Sequence, residues 1–299
     1  IMSGTFWNND GNRLAFYRMD QSMVTDYPQV NTFARIAGHE PDKYPMAGMT
    51  SHKVTVGVHD MNTGKTIYLN AGDPTDRYFT NIAWSPDSKT IYIQELNRDQ
   101  NKMRLVSYDA ETGNKRDVIY EESSDRYVEP QHPITFLPWD NGKFIMQSQR
   151  DGYNHLYVVD TNTKVYPDTH RTDFGVAYRE YYKTKQLTSG NFVVQEAVGF
   201  NAKKKSIIIL SNEKSPIQSN LFAVNTTTGK RTALDNGRGV HHGVLSASGA
   251  LMYDKYSEPD VPRNIEIANT ATAKREMIFS APDPWAGYNV PEYSCGSIK

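Results

Sequence analysis

Ile82-Ala83-Trp84-Ser85-Pro86-Asp87-Ser88-Lys89-Thr90-Ile91-Tyr92-Ile93 reads as an apolar strand, a polar turn and a second apolar strand. Further on, Tyr108-Asp109-Ala110-Glu111-Thr112-Gly113-Asn114 reads as a strand that ends on Asp and reverses through a Thr-Gly turn. Both patterns recur in alternation. The first returns at residues 5–16, 135–146 and 198–208, and most weakly at 244–253; the second returns at 59–65, 159–164, 224–230 and 268–274. The offset between them barely changes: Trp84 to Asp109 is 25 residues, Phe136 to Asp160 is 24, Phe200 to Asn225 is 25 and Leu245 to Asn269 is 24. Two hairpins per unit make four antiparallel strands. Four-stranded units in series are the pattern of propeller blades, whereas a sandwich would not repeat both hairpins five times.

The spacing predicts an all-β chain, a β-propeller of four-stranded antiparallel blades with about five blades present. The units fall at about 4–70, 78–121, 126–164, 185–234 and 240–280, and a tail occupies 281–299. In the first unit Trp7 and Asp60 stand 53 residues apart. The excess is the Pro-rich polar stretch Ser22 to His52, read as an insertion between the second and third strands. A second insertion, Val165 to Lys183, follows the third unit.

Composition agrees. Among 299 residues, 20 Gly and 15 Pro are too many for a helix bundle, and 19 Tyr suit half-buried strands. The 33 Lys and Arg balance 34 Asp and Glu, which gives no bulk attraction to nucleic acid or anionic membrane. The longest apolar run, near Ser206-Ile207-Ile208-Ile209-Leu210, is far short of a membrane span. Cys295 is alone, which excludes an intrachain disulfide and a zinc site built on paired cysteines. Ile1-Met2-Ser3-Gly4 has neither a basic nor an apolar leader region, so no signal peptide is expected here. The chain opens almost directly on a strand, so upstream sequence is expected.

A propeller is a platform, so function rests on sites. No Gly-x-Ser-x-Gly elbow is present. The adjacent His241 and His242 would point to opposite faces of a strand, which disfavours chelation; no metal and no cofactor are expected. Asn8-Asn9-Asp10-Gly11-Asn12 faintly resembles a calcium loop but lacks the distal Glu, and a hairpin turn accounts for it. Arg150-Asp151-Gly152 suits a turn. Lys203-Lys204-Lys205 suits a solvated turn. Glu121-Glu122 could grip an ammonium group, but a strand would splay the pair, and a solvated blade edge is the plainer reading. Tyr127-Val128-Glu129-Pro130-Gln131-His132-Pro133 leads into the innermost strand of the third unit, where propeller loops line the central funnel. It reads either as a rigid connector or as a small-molecule wall carrying Tyr127 and Glu129.

Residues 7–20, Met23-Val24-Thr25-Asp26-Tyr27-Pro28, Tyr127-Val128-Glu129-Pro130 and Gln149-Arg150-Asp151-Gly152-Tyr153-Asn154-His155-Leu156-Tyr157, in this order, resemble bacterial dipeptidyl peptidase IV. The likeness is to its N-terminal β-propeller domain, within the prolyl oligopeptidase family of serine peptidases. It covers nearly the whole chain, least well over Val165 to Lys183. It implies an eight-bladed propeller, of which these would be the later blades, followed by a C-terminal α/β-hydrolase domain that the tail enters. The family's catalytic Ser, Asp and His would then lie beyond residue 299, and its amine-gripping Glu pair before residue 7; Glu121-Glu122 does not match that pair. Tyr127 and Glu129 fall on a loop that faces the substrate. The resemblance further implies removal of X-Pro or X-Ala dipeptides from peptide N-termini, a periplasmic or secreted parent protein and a homodimer. A stand-alone propeller that binds proteins or peptides is the alternative. A propeller glycosidase needs paired acids on the funnel, and only Glu129 offers itself.

Overall fold

The computed structural model describes residues 4–291; the tail segment from Glu292 onward, with Cys295, lies outside the described residues. The chain divides into two compact units, Ile1–Thr135 with Thr163–Lys183, and Phe136–Asn162 with Thr184–Lys299.

The first unit holds two sheets. In the first, β1 (Thr5–Trp7), β2 (Arg13–Asp20), β7 (Lys53–Asp60) and β8 (Thr66–Tyr68) lie in that order, all antiparallel. Between β2 and β7, the Ser22 to His52 stretch forms two short ladders, β3 (Asp26–Tyr27) with β6 (Asp42–Lys43) and β4 (Val30–Asn31) with β5 (Gly38–His39). The second sheet takes β9 (Arg77–Trp84), β10 (Thr90–Asn97), β11 (Lys102–Asp109) and β12 (Lys115–Ser124). Ala15, Val56 and Val58 of the first sheet pack with Phe79, Ile91, Ile93 and Val106 of the second. A fully buried side chain such as Ile93 contributes about 2 kcal/mol.

The third sheet runs β13 (Thr135–Leu137), β14 (Asp140–Ser148), β15 (His155–Lys164) and β18 (Tyr182–Gln186). The fourth runs β19 (Val194–Asn201), β20 (Ser206–Ser211), β21 (Asn220–Asn225) and β22 (Arg231–Ala233); the fifth runs β23 (Val240–Leu245), β24 (Leu251–Glu258), β25 (Val261–Asn269) and β26 (Arg275–Ser280). In the second unit, Ile145, Leu156, Ile207 and Phe222 share one buried cluster, and Ile208, Leu221, Met252 and Ala268 another. The only helical element among the described residues is a three-residue 3-10 turn, Ala202–Lys204. The chain is all-β, built of the four-stranded antiparallel sheets that form propeller blades.

The Thr-Gly signature is a specific turn. Asp60, Asp109, Asn225 and Asn269 each accept two backbone N–H groups, two and three residues on, at 2.8–3.1 Å. Each also accepts on its main-chain carbonyl from the residue four ahead, at 2.8–2.9 Å. That fourth residue is left-handed in each of these four copies: Gly64 at φ 68°, Gly113 at 75°, Gly229 at 77° and Ala273 at 59°. Asx side chains supply the turn, and Gly supplies the left-handed position without a Cβ clash.

The third copy breaks the rule. Asp160 is followed at the fourth place by Lys164, and no turn forms there; β15 runs on to Lys164. Residues 165–181 then supply β16 (Thr169–Arg171) and β17 (Val176–Glu180), a hairpin that pairs through β17 with β12. The second sheet therefore has six strands, ordered β16-β17-β12-β11-β10-β9. The insertion falls before the fourth strand of the third sheet, not after the third unit as its spacing implied. That fourth strand, β18, lies beyond the expected end of the unit at residue 164.

Candidate functional site

The connector from β12 to β13 is held from beneath. Val128 is buried and donates its N–H to Gln100 O at 2.7 Å. Asn81, in β9, donates its side-chain amide to Gln94 Oε1 at 2.6 Å and to Pro130 O at 2.5 Å; Gln94 Nε2 donates to His132 O at 3.2 Å. Asn81 has φ 55°, a conformation Asn tolerates better than most residues, and the β9–β10 register shifts beside it. Three backbone groups between Val128 and His132 are thereby fixed by neighbouring strands. Two of the anchors, Asn81 and Gln94, carry no sequence signal beyond being amides within strands β9 and β10.

On this support sits a shallow cavity of about 420 Å³ whose lining includes Tyr78, Thr80, Leu96, Gln100 and Glu129. Glu129 is exposed and accepts from Gln131 Nε2 at 3.3 Å. Tyr127 is 58% exposed but does not line the cavity. Glu129 and Tyr127 thus share the connector without sharing one pocket. The arrangement can present a carboxylate to an ammonium group. Among the described residues no group of three His, Cys, Asp or Glu side chains is placed to hold a metal ion.

Glu121 and Glu122 do not form a solvated edge, because β17 covers that side of β12. Glu121 pairs in register with Arg104 and Arg179, accepts the Tyr181 hydroxyl at 2.8 Å and lies 3.8 Å from the Arg179 guanidinium. Glu122 points to the opposite face, is buried and accepts the Tyr120 hydroxyl at 2.8 Å. The splay read from strand geometry holds; the exposure does not. A third carboxylate, Glu95, is 3% exposed and takes Arg77 and Arg104 at 2.6 Å each, together with the Tyr108 hydroxyl. Burial, reinforced by Glu95, pushes the Tyr108 hydroxyl well above its ordinary pKa.

The two buried histidines, His155 and His241, are structural. His155 Nε2 faces Gly190 O at 2.9 Å, so it carries the proton, and Nδ1 accepts from Thr188 Oγ1 at 3.0 Å. His241 is buried and His242 exposed, on opposite faces of β23. His241 Nδ1 lies 2.8 Å from Asp254 Oδ2, and Nε2 lies 2.7 Å from the Arg238 carbonyl. Two acceptors require two donors, so the ring is an imidazolium. Burial pushes its pKa down, but Asp254, and Asp235 at 3.8 Å, carry it above the usual value.

The remaining motifs are turns. Asn8 Oδ1 accepts from the N–H groups of Asn12 and Arg13, closing the calcium-like stretch as a hairpin. Gly152 N–H bonds Gln149 O at 2.9 Å, while Arg150, exposed in a generic turn, is here 6% exposed and lies 3.9 Å over the Tyr157 ring. Lys203 and Lys204 lie exposed on the 3-10 turn. No helix among the described residues is long and apolar enough to cross a membrane.

Comparison with known proteins places these features in a family. The family model described as "Dipeptidyl peptidase IV (DPP IV) N-terminal region" matches residues 1–263. A crystal structure described as that of a dipeptidyl aminopeptidase IV from Bacteroides ovatus superposes with a TM-score of 0.91 at 50% identity, over 99% of this chain and 42% of that one. Porphyromonas gingivalis dipeptidyl peptidase 4 shares the fold, with a TM-score of 0.76 at 23% identity over 92% of this chain and 37% of that one. The protein named Probable dipeptidyl-aminopeptidase B of Phaeosphaeria nodorum is 25% identical over 93% of this chain and 32% of its own length. The chain thus spans about a third of the length of the curated relatives it matches. With a family match over most of its residues, on a fold of serial four-stranded sheets, the chain belongs to the dipeptidyl peptidase IV N-terminal region family.

Proposed function

We propose that this chain is the non-catalytic propeller portion of a serine dipeptidyl peptidase that removes X-Pro or X-Ala dipeptides from peptide N-termini. In this reading a C-terminal α/β-hydrolase domain supplies the Ser, His and Asp that form and break the acyl-enzyme, and residues 281–299 lead into it. The chain shapes the substrate pocket and restricts access to it. The observation that supports the reading most is the connector, where strands β9 and β10 immobilise the backbone around Glu129 while the carboxylate stays exposed. A fixed carboxylate can orient an incoming cationic group at little entropic cost, which is what positioning requires. Tyr127, exposed on the same connector, is assigned an apolar contact to the peptide. A periplasmic or secreted location and pairing of two copies belong to the same proposal.

The test uses the longer protein that carries this chain. With a Gly-Pro chromogenic substrate, Glu129→Gln is expected to lower kcat/KM about tenfold and Tyr127→Ala about threefold, the range for losing one partly solvated contact. Unchanged kcat/KM in both variants would remove these residues from the substrate wall. An absence of Gly-Pro cleavage by the unaltered protein would overturn the peptidase reading itself.

A further inference from the structure

A groove of about 680 Å³ crosses one face of the six-stranded sheet in the first unit. Strand alternation sorts its walls into rows. The row Glu95, Arg104, Glu121 and Arg179 runs in register across β10, β11, β12 and β17. Its cations are all paired: Glu95 holds Arg77 and Arg104, and Glu121 holds Tyr181 beside Arg179.

The next row behaves differently. Lys102 pairs with Ser123, Ser123 with Ala177 and Ala177 with Arg171, across β11, β12, β17 and β16. Ser123 and Ala177 are small and leave a trough between the two long cations. Neither cationic head makes an ion pair or side-chain hydrogen bond among the described residues. Strands lie about 4.8 Å apart, so the Lys102 and Arg171 backbones stand about 14 Å apart, near enough for both side chains to reach one object on the trough floor. The cation at the far end exists there only because the inserted hairpin leaves the third sheet and pairs with the second.

We propose that this trough binds a small organic or inorganic oxyanion, a carboxylate or phosphate, held between Lys102 and Arg171. Ammonium and guanidinium groups together match such ligands, and the groove has the size of a small-molecule site. Two free cations are too few for a nucleic-acid backbone. The proposal does not depend on the peptidase reading.

The test is isothermal titration of the full-length protein with citrate and, separately, with inorganic phosphate, at fixed ionic strength. Saturable binding of either supports the site, and the anion that binds identifies its class. Arg171→Gln and Lys102→Gln should each weaken it at least about tenfold, the loss of one charge-assisted contact. Lys203→Gln, on an exposed turn of the fourth sheet, should leave it unchanged. Lys102 makes no side-chain bond, so Lys102→Gln tests the site even if Arg171→Gln disturbs the hairpin. Failure of both anions to saturate, unchanged affinity in Lys102→Gln, or equal weakening by Lys203→Gln would each overturn the proposal.

Discussion

The end of β11 and the end of β15 share an Asp followed three residues later by a Thr, and finish in different places. Tyr108-Asp109-Ala110-Glu111-Thr112-Gly113 reverses at once into β12, whereas Val159-Asp160-Thr161-Asn162-Thr163-Lys164 continues straight. Both have the Asp, and Asp160 still accepts the Asn162 N–H at 3.1 Å. The fourth following residue differs. Gly113 occupies φ 75° and closes the turn on Asp109 O at 2.9 Å; Lys164 stays extended, and its ammonium instead reaches Asp117 of the second sheet at 2.7 Å. One residue able to adopt left-handed backbone separates a local reversal from a strand that carries the chain to a neighbouring sheet.

Substitutions at these turns can break or sharpen that comparison. Gly113→Ala should destabilise most, by about 3 kcal/mol in urea unfolding, because its Cβ would lie 2.5 Å from the Tyr68 carbonyl oxygen in addition to the φ penalty. Gly64→Ala has the same kind of φ, 68°, but open space around it. It should cost only about 1 kcal/mol, and equal losses at the two positions would mean that packing contributes nothing. Ala273→Gly should stabilise by no more than about 0.5 kcal/mol, since relief of φ 59° is offset by the added freedom of the unfolded chain and by loss of a methyl packed against the cluster of Ile208, Leu221 and Met252. Lys164→Gly should do the reverse and destabilise by about 0.5 kcal/mol, because an extended residue gains nothing from Gly and the exposed ion pair is worth little. A stabilising Lys164→Gly would show that the third copy does want the turn.

The same particulars show what was legible in the sequence. The Asx and Gly residues of the turns act within five residues of one another, so their spacing disclosed four-stranded units directly. The missing Gly at Lys164 was also visible, but counting Asp160 as one more turn hid it. That β17 pairs with β12 was not legible, because strand partners are chosen by long-range register and nothing in Val176–Glu180 names its neighbour. The exposure expected for Glu121 and Glu122 failed for this reason. At the connector, Tyr127 and Glu129 were visible as a carboxylate and an aromatic among prolines, while their supports Asn81 and Gln94 act across 49 and 38 residues of sequence.

The central claim is that this chain forms a wall around chemistry carried elsewhere. Its most direct test is to label the longer protein with a fluorophosphonate, digest it and map the modified serine by mass spectrometry, beside an assay on the Gly-Pro substrate. The account predicts Gly-Pro cleavage that the label abolishes, with the modified serine outside residues 1–299. A label on any serine within these 299 residues, or cleavage that survives full labelling, would contradict it.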